Sequence, residues 1–142
     1  MRSKLTVAAA LTIAVVGLGL ALAPVPAHAH HAFAAEFDAN SPVDLEGTVI
    51  EMQWINPHAW IHIGVEDSAG EVTEWMIEAG APNGLIRRGF TRDSLLPGTK
   101  ILVSGYRAKD GATRANGSSI TFEDGRKLFV GGSNPDLEGN RD

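Results

Sequence analysis

Between His58 and Asp67 apolar and polar side chains alternate one for one. Ala59, Ile61, Ile63 and Val65 fall on one face, and His58, Trp60 and His62 on the other. A period of two belongs to a half-buried strand, so the chain must build a sheet that turns the aliphatic row inward. The flanking segments repeat the theme. Val43 to Trp54 is rich in β-branched and apolar residues, with Gly47 read as a bulge. Asn56-Pro57 turns the chain into the second strand. Ser68-Ala69-Gly70 turns it into a third, Glu71 to Glu78, which makes a hairpin with the second. Gly80-Ala81-Pro82-Asn83 breaks the pattern, Leu85 to Phe90 reads as a short helix ended by Gly89, and Thr91 to Leu95 reads as a turn. Strands follow over Lys100–Arg107, Ala115–Phe122 and Lys127–Val130, the last two joined by the tight-turn pair Asp124-Gly125. Three strands, a short helix and two or three more strands predict an all-β domain with one short helix. The expected architecture is a small OB-like Greek-key barrel, with a β-sandwich as the alternative.

Ahead of these strands stands a segment of another kind. Met1-Arg2-Ser3-Lys4 is positive, Leu5 to Ala23 is apolar without charge, and Ala27-His28-Ala29 is a small-residue cleavage pattern. These are the three parts of a secretory signal, so residues 1–29 are expected to be a cleavable signal peptide rather than an anchor. The mature chain then divides into an arm at 30–41, the barrel at 42–131 and a Gly-, Asn- and acid-rich tail at 132–142. The arm either makes a helical turn, with Phe33 and Phe37 four apart, or lies extended along the barrel. An exported chain can use disulfides, but there is no Cys here, which also excludes thiolate metal sites and cysteine nucleophiles. Of the 12 Lys and Arg, two lie in the leader, against 17 Asp and Glu. So acidic a mature domain is a poor partner for a nucleic-acid backbone.

Several stretches resemble a family of small exported bacterial proteins that carries a domain of unknown function. They are His30-His31-x-Phe33-x-x-Glu36-Phe37-Asp38, Asn56-Pro57-His58-x-Trp60, the run from Pro82 to Gly89, and Gly105-Tyr106-Arg107-Ala108-Lys109-Asp110-Gly111. The resemblance spans nearly all of the mature chain. It implies that His30, His31 and His58 belong to a family motif, and it carries no activity.

The histidines hold the chemistry. Cleavage after Ala29 makes His30 the first residue. Its α-amine and ring Nδ1 can chelate one ion, and a second imidazole completes a three-nitrogen histidine brace suited to Cu(II). The α-amine, with a pKa near ~8, gives up its proton readily to a metal. His58 and His62 sit about 13 Å apart at roughly 3.3 Å per strand residue, so at most one joins such a site. His58, directly after a turn at a barrel end, is the expected partner; His31 serves only if the arm bends. Cleavage after Ala27 instead starts the chain at His28-Ala29-His30, which wraps copper through backbone amides. Glu36 and Asp38 are either partners orienting a ring or plain surface charges. Trp75, Met52 and Met76 are expected in the core, and Trp60 is expected either to floor a ligand site or to cover the barrel.

The expected function is an exported, periplasmic or secreted binding protein holding copper through His30, with His58 and His31 or His62. The alternative is a metal-free interaction module that binds a peptide, glycan or small envelope ligand on the Trp60 face. A copper oxidase or oxygenase built on the same brace is a third reading, for which the sequence shows no substrate surface. No Ser/His/Asp spacing, phosphate-binding loop or paired-carboxylate motif points to another enzyme.

Overall fold

The computed structural model describes residues 29–131, with side chains from residue 33 onward. Residues 1–28 of the expected leader and the tail at 132–142 lie outside the described residues. The elements are α1 (Ala29–Glu36), β1 (Phe37–Gln53), β2 (Trp60–Glu66), β3 (Val72–Glu78), α2 (Pro82–Arg87), a 3-10 turn (Arg92–Ser94), β4 (Lys100–Ala108), β5 (Arg114–Phe122) and β6 (Lys127–Phe129). Among the described residues no helix is long and apolar enough to cross a membrane.

The strands form one sheet in the order β3-β2-β1-β4-β5-β6, and β3 also pairs with β5. That extra pairing is parallel, joining Met76 to Arg114, Ile77 to Ala115 and Glu78 to Asn116. The other neighbours are antiparallel. The sheet therefore closes on itself as 1-2-3-5-4-1, and the helix between β3 and β4 completes the OB-like barrel. Closure gives β3 and β5 partners for backbone groups that an open sheet would leave as edges.

The alternation along β2 is realised directly. Ala59, Ile61 and Ile63 are fully buried, facing Ile77, Ala79, Val103, Ala115 and Ile120 inside the barrel. Leu85, Phe90 and Leu95 join the same core from α2 and the segment after it. Each such side chain contributes about 1.5–3 kcal/mol on leaving water. Trp75 is in the core and Met52 packs against it, as their positions predicted, whereas Met76 is half-buried outside it.

Three local readings change. The helix begins at Pro82 rather than Leu85, because a proline is tolerated in the first helical turn, where its missing N–H costs nothing. The arm is both helix and strand: α1 ends at Glu36, and β1 starts at Phe37, well before Val43. The domain thus holds two short helices, not one. Gly47 is not the bulge. The register with β2 shifts between Val49 and Glu51, while Gly47 stays in regular register with Ile101 on β4. Its lack of a side chain has a different cause. A Cβ there would stand 2.9 Å from the Gly64 carbonyl oxygen, 3.2 Å from Ile63 Cδ1 and 3.3 Å from Val65 Cγ2. In an open strand Gly→Ala stabilises modestly. Here Gly47→Ala should cost about 1–3 kcal/mol through overpacking against backbone, read as a lower urea midpoint with an unchanged m-value.

Candidate functional site

Antiparallel and parallel registers carry one row of residues across the outside of the barrel. Gln53 on β1 stands opposite Trp60 on β2, Trp60 opposite Glu78 on β3, Glu78 beside Asn116 on β5, and Asn116 opposite Tyr106 on β4. Outward positions in a barrel are normally solvated, yet Glu78 is 5% exposed and Asn116 is fully buried. The arm contributes to this cover. Phe33 of α1 packs edge-on against Tyr106 at 5.7 Å between centroids and lies 5.8 Å from Phe37. With Ala108 these rings make a second small core outside the barrel. Lys109 secures the helix, its backbone N–H donating to Glu36 O at 2.9 Å and its Nζ to Ala34 O at 2.5 Å. Arg114 reaches Glu36 at 3.5 Å and Asp110 at 2.9 Å.

Within this row the buried carboxylate of Glu78 contacts Nδ1 of His58. The His58 side chain is 30% exposed. No described residue hydrogen-bonds its Nε2. Burial pushes the Glu78 carboxyl above its ordinary value of 4.5, and the nearby Glu36 carboxylate adds to the rise; His58 and Arg114 pull against it. An imidazole held at Nδ1 by a carboxylate has its tautomer and ring plane fixed, with Nε2 presented as the donor atom. Asn116 is the other unusual group. Neither its Oδ1 nor its Nδ2 has a hydrogen-bond partner among the described residues. An unmet buried amide costs about 1–3 kcal/mol, so this end of the barrel holds buried polar atoms with bonding capacity to spare.

His62, which shares the outward face, is built differently. It is 7% exposed, its Nδ1 lies 2.6 Å from Glu74 Oε1, and its Nε2 lies 3.9 Å from Glu51 Oε1. It shares no bonded partner with His58. Trp60 is half-buried between them. Asp38 turns back on its own chain, accepting from the Asn40 N–H and the Ser41 hydroxyl, which hold its carboxyl below the usual range. Neither Asp38 nor Glu36 bonds a histidine ring among the described residues. The side chains of His30 and His31 lie outside the described residues. Among the described residues no three His, Asp or Glu side chains converge as a metal cage. The described body therefore offers two imidazoles paired with a carboxylate at Nδ1, of which His58 is partly exposed and His62 is buried, and any brace at His58 must take its other nitrogens from the arm.

Sequence reasoning singled out His58 and missed Glu78 and Asn116. The register of the β2–β3 hairpin, set by the Ser68-Ala69-Gly70 turn, would have placed Glu78 opposite Trp60. Nothing local announces the parallel pairing that brings up Asn116.

Because the folded pKa of Glu78 is raised, the native state favours its protonated form. That contribution is full below the carboxyl's unfolded pKa and is lost as pH rises through the folded one. Gln mimics the protonated acid. Comparing Glu78→Gln with the natural chain by urea unfolding at pH 4 and pH 8, the difference should move in favour of Gln at the higher pH. A difference that is flat or moves the other way would show that the carboxylate is not held at a cost.

Among curated proteins and among solved structures nothing matches the chain. Residues 18–118 match the model of a family of unknown function, DUF6152, and the chain belongs to that family.

Proposed function

We propose that the protein is exported, is cut after Ala29, and binds one Cu(II) between the new N-terminus and His58. The observation that carries this reading is the Glu78–His58 pair. A buried carboxylate on Nδ1 is how proteins orient a metal-binding imidazole, and such partners are worth 10–100-fold in metal affinity. The α-amine and ring of His30 would supply the other two nitrogens, a set that suits copper over harder divalent ions. Support comes from α1. Phe33 ties it to Tyr106, and its last residue, Glu36, is close enough to act on Glu78. At about 1.5 Å rise per residue, His30 is roughly 9 Å of helix from Glu36. His58 is the better placed of the two body histidines. His62 already holds Glu74, and its second nitrogen is enclosed. The role that follows is carriage or buffering of copper outside the cytoplasm.

A second reading rests on Trp60. OB-like barrels use the outer face of strands 2 and 3 for ligands, and that face here carries a half-buried indole beside Glu78. On this reading the protein is a metal-free module for a peptide, glycan or small envelope ligand.

The two readings separate in a copper titration of the exported chain, followed by electron paramagnetic resonance. The first expects one equivalent bound with three nitrogens, loss of tight binding in His30→Ala and His58→Ala, and weakening of about 10–100-fold in Glu78→Gln. Unchanged affinity in His58→Ala would refute it. Metal-free chain that retains a ligand from the envelope, and loses it on Trp60→Ala, would favour the second.

A further inference from the structure

His62 is a buried titratable residue that the site at His58 does not use. It is 7% exposed, and its Nδ1 lies 2.6 Å from Glu74 Oε1. A carboxylate at Nδ1 fixes the tautomer and leaves the ring's lone pair on Nε2. That Nε2 is shielded from water and has no hydrogen-bond partner among the described residues. The Glu51 Oε1 atom lies 3.9 Å from it. The distance is too long for a hydrogen bond. A bare nitrogen and a carboxylate oxygen thus stand near each other, two electron-pair donors with nothing shared between them.

The bulge in β1 makes this pair. Val49 stands opposite Ile63, so an unbroken register would set Ile50 opposite His62. The shift between Val49 and Glu51 sets Glu51 there instead. Re-aiming a side chain is a common use of a bulge. Gln53 then holds the carboxylate, its Nε2 donating to Glu51 Oε1 at 2.7 Å. The gap has the dimensions of a coordinated ion. Zinc sits ~2.0–2.1 Å from an imidazole nitrogen and ~2.0–2.2 Å from a carboxylate oxygen, so the two donors stand roughly 3.4 Å apart at a tetrahedral angle and at most roughly 4.3 Å apart. The 3.9 Å between His62 and Glu51 falls inside that range. The Glu51 side chain is 54% exposed and can make the remaining small adjustment.

We propose that His62 Nε2 and the Glu51 carboxylate bind one divalent cation of the class that takes imidazole and carboxylate together, Zn(II) foremost, with Glu74 as the positioning residue. Glu74 orients the ring and raises the basicity of the coordinating nitrogen. Two protein donors leave the other positions to water, so the site is open and exchangeable rather than a closed structural cage. A bound ion clips β1 to β2 beside the bulge, where their register is broken. His62 shares no bonded partner with His58, so the site stands whether or not copper binds at His58.

The test titrates the exported chain with Zn(II) at neutral pH and follows the His62 ring by long-range nitrogen–proton correlation. This readout is separate from His58 and from the histidines of the arm. The expected result is a saturable shift of His62 Nε2 at micromolar zinc, with the proton still on Nδ1 and the same response in His58→Ala. Glu51→Gln should weaken zinc binding at His62 about tenfold or more, and Glu74→Gln about 10–100-fold. Because Glu51 is exposed, Glu51→Gln should leave the melting temperature of the metal-free chain within a few degrees, which separates a lost donor from a misfolded chain. A His62 ring that does not respond, or responds only at millimolar zinc, overturns the proposal. So does a response that Glu51→Gln leaves intact. A metal-free ring protonated on both nitrogens at neutral pH overturns it too, since His62 is then an ion-pair partner of Glu51 and Glu74 with no lone pair to give.

Discussion

The parallel pairing of β3 with β5 is the contact on which the rest depends. Three register pairs turn an open meander into a closed barrel and give the β2 aliphatic row an interior to face. The same three pairs place Glu78 beside Asn116 on the outside. A carboxyl and an amide that would be solvated on an open sheet are thereby gathered under the arm, where each needs a partner. Glu78 has one in His58. Closure and site are one event, because the residues that seal the barrel also carry the buried polar groups.

The arm stands apart from the barrel interior. Its helix adds little to the barrel core; its rings form a separate cluster with Tyr106 and Ala108. What it does is lie beside the polar row, fastened by Lys109 of the β4–β5 connection and by Arg114 at the start of β5. In the function proposed above, a terminus created by cleavage and a histidine paired with a buried acid would be the two parts of one site.

Much of this was legible in the sequence, and the division is physical. The β2 face was plain because a period of two is local information, and the turn residues set the β2–β3 register. The OB-like class followed from strand order and the helix between β3 and β4. Gly47 misled because a glycine in a strand has several causes; here it yields to the Gly64 carbonyl, while the bulge sits at Ile50, a residue type that does not advertise one. Pro82 looked like a breaker and is a helix start. Glu78 reads as one more surface acid until β5 is beside it. Asn116 falls inside the strand expected at Ala115–Phe122, but nothing in the sequence around it announces that it is fully buried.

The central claim is that Glu78 holds His58 by Nδ1 and leaves Nε2 as the free donor atom. Long-range nitrogen–proton correlation on the imidazole ring of His58, in metal-free protein at neutral pH, reads this directly. The account predicts a proton on Nδ1, a bare Nε2, and loss of that preference in Glu78→Gln. A proton resident on Nε2 with Nδ1 bare, unchanged by the substitution, would contradict it.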